Sequence, residues 1–204
     1  MKVIQLTLGM MQSHCYIIYK HNQAIIIDPG DEPEIIQMHL SQNQLNPIAI
    51  MLTHGHFDHI GAVDYLVDLY HIPVYLHQDD EKMVYDSQLN LSYFNQPFVL
   101  KSKVQHMGKE ITLGDFYFNI IHAPGHSEGS VLILCKEEHI LFSGDVIFKD
   151  SIGRCDFPGS SFKQMQQSLN TIKEIKVDYV LYPGHGLQST LQNEKKHNPY
   201  LSSI

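Results

Sequence analysis

The sequence predicts an α/β fold, two mixed β-sheets packed face to face and flanked by helices. Three observations lead there. Short apolar runs rich in Val, Ile, Phe and Tyr alternate with segments of helical periodicity along the whole chain. Each cluster of His and Asp directly follows one of those apolar runs. The chain has 204 residues, 43% of them hydrophobic and 18% charged, enough for one domain, 1–204, with a substantial core.

The elements follow in order. Val3 to Leu8, Cys15 to Tyr19 and Ala24 to Asp28 are β-rich and bounded by polar or turn residues. Asp31-Glu32-Pro33 reads as a helix start, with Asp31 as the cap and Pro33 in the first turn. Ile48 to Leu52 is a buried strand, His59 to Tyr70 the following helix and Val74 to Leu76 the next strand. Residues 87–103 mix Asn, Ser, Gln and Pro with aromatics and read as a long surface loop. Strands resume at Phe116 to Ile121, Val131 to Cys135 and His139 to Phe142. Phe162, Met165, Leu169, Ile172 and Ile175 recur at helical spacing, the stripe of an amphipathic helix packed on a core. Tyr179 to Leu181 is the last strand, and Ser189 to His197 a final helix.

Composition narrows the partners. A net charge of −8 argues against nucleic acid and against an anionic membrane surface. No apolar run approaches the roughly 20 residues that span a bilayer, and Met1 to Thr7 lacks the apolar stretch of a signal peptide. Three scattered cysteines, Cys15, Cys135 and Cys155, fit a reducing compartment, so the expected setting is cytoplasmic. The expected partner is a small-molecule substrate, and the oligomeric state is left open.

The chemistry is concentrated in Thr53-His54-Gly55-His56-Phe57-Asp58-His59. His126 in Pro124-Gly125-His126, Asp145 in Ser143-Gly144-Asp145 and His185 in Pro183-Gly184-His185-Gly186 add further donors. Residues two apart in an extended segment point the same way, so His54 and His56 can grip one cation. Seven N and O donors suffice for two divalent ions, and two adjacent ions activate water and stabilise an oxyanion together. The seven use five of the fourteen histidines; the others, His14 among them, read as surface or ordinary polar residues.

His-x-His-x-Asp-His followed by lone His, Asp and His resembles the metallo-β-lactamase superfamily, over nearly the whole chain. Within it the chain is most similar to the small glyoxalase II-like (hydroxyacylglutathione hydrolase-like) enzymes. Ser143-Gly144-Asp145-Val146-Ile147-Phe148, Gly153-Arg154-Cys155-Asp156-Phe157-Pro158-Gly159, Tyr182-Pro183-Gly184-His185-Gly186, Glu194 and Asn198-Pro199-Tyr200 carry that closer match. Two features differ. Ala123-Pro124-Gly125-His126-Ser127-Glu128-Gly129 replaces the usual Thr-Pro-Gly-His-Thr-Pro-Gly, and no C-terminal helical glutathione-binding domain is expected.

The resemblance implies a metallo-β-lactamase fold and two divalent ions, zinc first, with iron or manganese also suited. It assigns His54, His56 and His126 to one ion, Asp58, His59 and His185 to the other, and Asp145 as the bridge. Asp58 and Asp145 are then the catalytic carboxylates, holding a hydroxide between the ions, and the helix starting near His59 adds its dipole. Asp28 braces the ligand loops by hydrogen bonding. Arg154 contacts the thiol-derived carrier of the substrate or pairs with Asp156. Cys155 is a packed bystander or a reactive thiol, and Tyr182 lines the pocket or fills the core. The implied activity is hydrolysis of hydroxyacyl thioesters. A mononuclear iron persulfide dioxygenase, a lactonase, a β-lactamase and a non-catalytic metal-binding module are the alternatives, and metal content with thioester turnover separates them.

Overall fold

Runs that are apolar at nearly every position, such as Ala24-Ile25-Ile26-Ile27 and Val131-Leu132-Ile133-Leu134-Cys135, bury both faces of their strands, and the layering follows from that. The computed structural model describes residues 1–202. The first sheet contains β1 (Lys2–Leu8), β2 (Ser13–Lys20), β3 (Gln23–Ile27), β4 (Asn46–Met51), β5 (Val74–Leu76) and β6 (Val104–His106), in that spatial order. β1 to β3 pair antiparallel and β3 to β6 parallel, so the sheet is mixed.

The remaining strands are β7 (Glu110–Leu113), β8 (Phe116–His122), β9 (Val131–Cys135), β10 (Ile140–Gly144), β11 (Ile147–Phe148), β12 (Ser151–Ile152), β13 (Val180–Pro183) and β14 (Ser189–Thr190). The second sheet runs β14-β13-β10-β9-β8-β7, with β10 and β13 parallel and the other pairs antiparallel. β11 and β12 form a separate two-stranded ribbon. The helices are α1 (Pro33–Gln42), α2 (Phe57–Ile60), α3 (Val63–Tyr70), α4 (Glu81–Val84), α5 (Phe162–Glu174), α6 (Leu191–His197) and α7 (Pro199–Ser202).

Side-chain alternation divides the core into three layers. Ile25 and Ile27 of β3 face the second sheet, where they meet Phe116, Phe118, Ile133 and Phe142. Their neighbours Ala24 and Ile26 face outward onto Ile36 and Leu40 of α1 and Val63 and Leu66 of α3. Leu132, Leu134, Leu141 and Leu181 face the other way, onto Met165, Leu169 and Ile172 of α5 and Leu191 of α6. Helix, sheet, sheet and helix are thus stacked as the sequence predicts.

Two local expectations are corrected. The helix expected over His59 to Tyr70 is two pieces, α2 and α3, broken at Gly61 and Ala62. A Cβ at Gly61 would lie 2.3 Å from the carbonyl O of Gly30, and Ala62 N–H donates to Pro29 O, so docking on that turn stops the helix. With α2 a single turn, the expected helix dipole at His59 is not realised, since the macrodipole needs a row of aligned peptides. At α1 the cap position belongs to Glu32, in left-handed geometry, while the Asp31 carboxylate accepts from Glu32 N–H. Pro33 opens the helix as expected. Residues 87–103 are irregular apart from a short 3₁₀ turn at Ser92–Phe94.

Candidate metal centre

Each donor expected from the sequence sits just past the end of a strand. His54, His56, Asp58 and His59 follow β4; His126 follows β8, Asp145 follows β10 and His185 follows β13. The structure brings all seven together. Donor atoms of His54, His56 and His126 lie within 4.8 Å of one another, as do those of Asp58, His59 and His185. Asp145 stands between the two groups. Its Oδ2 is 3.5 Å from both His126 Nε2 and His185 Nε2, and its Oδ1 is 3.5 Å from His59 Nε2. With metal–ligand bonds of about 2.0–2.2 Å, two donors on one tetrahedral ion stand roughly 3.3–3.6 Å apart. The Asp145 spacings match donors around a metal, and the shorter approaches are His56 Nδ1 to His126 Nε2 at 2.9 Å and His185 Nε2 to Asp58 Oδ2 at 3.2 Å.

Buried polar atoms point the same way. Among the described residues, His54 Nε2, His56 Nε2, His59 Nε2 and Asp145 Oδ1 are buried with no hydrogen-bond partner. Buried polar atoms are almost always paired, and unpaired atoms on four residues of one cluster fit a cation. The second nitrogen of three rings is tied elsewhere, while His56 Nδ1 faces His126 Nε2 at 2.9 Å inside the cluster. His59 Nδ1 lies 3.0 Å from Asp28 Oδ2, His54 Nδ1 lies 3.1 Å from Thr53 Oγ1, and His126 Nδ1 donates to the Arg154 carbonyl at 2.8 Å. Such bonds fix ring orientation and leave Nε2 of His54, His59 and His126 for the ion.

Asp28 has the bracing position expected of it. Its carboxylate accepts Thr53 N–H at 2.7 Å and Thr53 Oγ1–H at 2.6 Å besides reaching His59. Both of its oxygens are thereby occupied by hydrogen bonds, beside His54 and His59.

Sequence reasoning missed a second brace, Asp80. This residue is fully buried and accepts from Gly55 N–H (3.0 Å), Ser127 Oγ–H (2.7 Å) and Gly129 N–H (2.6 Å). It joins the loop of His54 and His56 to the loop of His126. Ser127, where the family resemblance breaks, is therefore the residue that meets Asp80. His14 was also missed. It is buried on β2, with Nδ1 3.0 Å from Pro183 O, and Tyr16 Oη–H donates to the same carbonyl, holding the turn that presents His185. Neither residue belongs to a recognisable spacing.

Gly184 shows why that turn reads Pro-Gly-His. A Cβ there would lie 2.1 Å from Asp145 Oδ1 and 2.8 Å from His59 Cε1, so no side chain fits beside the bridge position.

The electrostatics separate cations from protons. Burial first, then the neighbouring imidazoles, pushes His54 and His56 well below the usual histidine range. Burial also opposes charge on His59, but Asp58, Asp145 and the Asp28 hydrogen bond overcome it and lift its pKa to about 10. Burial would raise Asp58, yet His59 and His185 hold its carboxyl below the usual range. The cluster thus attracts positive charge while keeping His54 and His56 free to donate lone pairs.

The centre opens on a cavity of about 280 Å³, lined on its apolar side by Met11, Phe57, Leu91, Phe148, Ile152 and Phe157. Arg154 stands at its edge, exposed, paired bidentately with Asp156 (2.9 and 2.7 Å) and 4.3 Å from the Phe157 ring centre. Cys155 packs partly against the α5 core, and burial raises its thiol pKa, so it sits there as a thiol. Tyr182 fills the inter-sheet core against Tyr16 and Phe142.

Comparison with known proteins agrees with this geometry. The family model described as "Metallo-beta-lactamase superfamily" matches residues 8–185. The Haemophilus influenzae protein named hydroxyacylglutathione hydrolase GloC is 32% identical, over 94% of this chain and 94% of its own. Two solved structures superpose closely. The BLEG-1 B3 metallo-β-lactamase has a TM-score of 0.94 and 39% identity, covering 98% of this chain and 100% of its own. TTHA1623, solved in a di-iron-bound form, has a TM-score of 0.89 and 36% identity, with the same coverage. The chain belongs to the metallo-β-lactamase superfamily and is a metal-dependent hydrolase.

Proposed function

We propose that the protein hydrolyses hydroxyacyl thioesters of a low-molecular-weight thiol at a centre of two divalent ions, zinc, iron or manganese. The observation that carries this reading is the position of Asp145, one carboxylate within 3.5 Å of histidines from both donor clusters. His54, His56 and His126 would hold one ion, Asp58, His59 and His185 the other, and Asp145 would join them. Bound there, the pair of ions supplies Lewis acidity toward the acyl carbonyl and a water acidic enough to ionise near neutral pH.

The chain's own residues supply the rest. Asp58 and Asp145 place negative charge between the histidines of the two clusters, where it would hold the cations. Asp28, Thr53 and the Arg154 carbonyl fix ring planes and Asp80 holds the two ligand loops together, so the donors need no rearrangement during turnover. Phe57, Phe148 and Phe157 line the approach and exclude water from the acyl group. Arg154, on the cavity edge, meets the carrier.

Likeness to hydroxyacylglutathione hydrolase GloC supports the thioester class, and likeness to a B3 metallo-β-lactamase supports a second reading as a β-lactam hydrolase. A panel of lactoyl and acetyl thioesters, a lactone and a β-lactam, assayed on metal-loaded protein, separates them. Thioester kcat/KM should exceed β-lactam kcat/KM by orders of magnitude; the reverse ranking would overturn the proposal.

A further inference from the structure

A second group of metal-binding side chains lies outside the centre. His77 follows β5, Asp79 lies in the 3₁₀ turn Gln78–Asp80, and His122 ends β8. Their donor atoms lie within 4.8 Å of one another. Asp79 Oδ2 is 3.6 Å from His77 Nδ1 and 3.6 Å from His122 Nε2. The roughly 3.3–3.6 Å separation expected for donors on one tetrahedral ion recurs here. The two imidazoles stack with centroids 4.0 Å apart and planes 12° from parallel, each with a nitrogen 3.6 Å from the same carboxylate oxygen, and a rotation of one ring out of the stack turns both lone pairs onto one ion. The Glu128 carbonyl O, 2.8 Å from His122 Nε2, is placed as a fourth donor. The group lies beside an open surface groove of about 560 Å³, so an ion can enter without unfolding anything.

We infer that His77, Asp79 and His122, with the Glu128 carbonyl, form a third and separate site for a divalent ion of the zinc, nickel or copper class. Two imidazoles, a carboxylate and a carbonyl suit these borderline ions better than calcium or magnesium, which favour all-oxygen shells. On binding, His122 carries its proton on Nδ1 instead of Nε2, and the ion replaces the hydrogen bond between Nε2 and the Glu128 carbonyl with two bonds to itself. Burial and the facing His122 ring hold His77 below its usual pKa, so the ring is neutral at neutral pH; its Nδ1 accepts Asp79 N–H at 3.3 Å, a long bond that the ion displaces.

The site is linked to the chemistry. Asp79 precedes Asp80, the brace between the two ligand loops, and Glu128 lies within the loop that carries His126. An ion here clamps the 3₁₀ turn to the end of β8 and stiffens both loops from outside.

The test is zinc uptake by the metal-loaded holoprotein, measured by equilibrium dialysis for the wild type, His122→Ala and Asp79→Asn. Wild type should take up one more zinc per chain than His122→Ala, and Asp79→Asn should hold that extra zinc more weakly. The difference does not depend on how many ions occupy the catalytic centre, so it stands apart from the function proposed above. Added zinc should also slow hydrogen exchange across residues 77–80 and 122–129 in wild type only. Equal uptake by wild type and His122→Ala, or protection of the same residues in both, would overturn the inference. Should His122→Ala not fold, His77→Gln replaces it with the same two outcomes.

Discussion

Asp80→Asn is a near-isosteric change whose cost can be worked from the structure. Asp80 Oδ1 accepts Gly129 N–H at 2.6 Å, while Oδ2 accepts Gly55 N–H at 3.0 Å and Ser127 Oγ–H at 2.7 Å. An amide offers one oxygen. If that oxygen takes the Oδ2 position, the NH₂ group faces Gly129 N–H; if it takes the Oδ1 position, the NH₂ group faces Gly55 N–H. Either way one buried backbone donor loses a charged acceptor, a cost of about 1.5–3 kcal/mol. Those donors belong to the loops that carry His56 and His126, so part of the cost should appear as looser metal binding, by roughly 10–100-fold as for other partners that orient ligands. Urea denaturation of the holoprotein measures the first quantity, and competition with a chromophoric chelator measures the second. Unchanged chelator competition alongside a normal stability loss would show that Asp80 supports the fold and not the centre. Wild-type values in both assays would refute the bracing role.

Other outcomes follow from the same contacts. Asp145→Ala should reduce kcat by more than the roughly 10–100-fold typical of an orienting partner, whereas Arg154→Ala should mainly raise KM for thioesters with anionic carriers; steady-state kinetics on charged and uncharged carriers decides, and an equal Arg154→Ala defect on both would assign Arg154 to holding its loop through Asp156. Gly184→Ala should displace Asp145 or the turn before His185 and lower metal affinity, read by isothermal titration, because the new Cβ would lie 2.1 Å from Asp145 Oδ1. Glu194 is buried, and its bonds from Ser189, Asn193, Asp150 N–H and Asn198 outweigh burial and hold its carboxyl below the usual range. Its stabilisation is therefore full above the ordinary value of about 4.3 and is lost as pH falls through the lower folded-state value. The wild-type advantage over Glu194→Gln in chemical denaturation should shrink across that acid window; a gap constant with pH would contradict it.

The parts of this molecule legible in its sequence are those set by periodicity or by fixed donor spacing. The apolar stripe of Met165, Leu169 and Ile172 faces the second sheet, as its helical spacing requires. The seven candidate donors stood out because metal chemistry restricts residue type at each, and the fold brings all seven to one place. β6 and β7 escaped notice because Val104-Gln105-His106 and Glu110-Ile111-Thr112-Leu113 are short and half polar, as edge strands are. Leu113-Gly114-Asp115-Phe116 did carry a turn signal between β7 and β8 that pattern reading could have used. Asp80 was invisible for a different reason. One Asp in His77-Gln78-Asp79-Asp80-Glu81 looks like a solvated charge run, and only the three-dimensional approach of Gly55, Ser127 and Gly129 gives it a role. The break between α2 and α3 was hidden similarly, because the carbonyl that excludes a side chain at Gly61 comes from Gly30.

The dinuclear centre is tested most directly by elemental analysis of purified protein, reconstituted with zinc or manganese and assayed beside it for thioester hydrolysis. The measurement belongs in the His122→Ala background, so that an ion at the outer group does not enter the count. Two ions per chain, lost together with activity on chelation and restored together with it, is the expected result. At most one ion per chain after reconstitution, or hydrolysis by demonstrably metal-free protein, would contradict it.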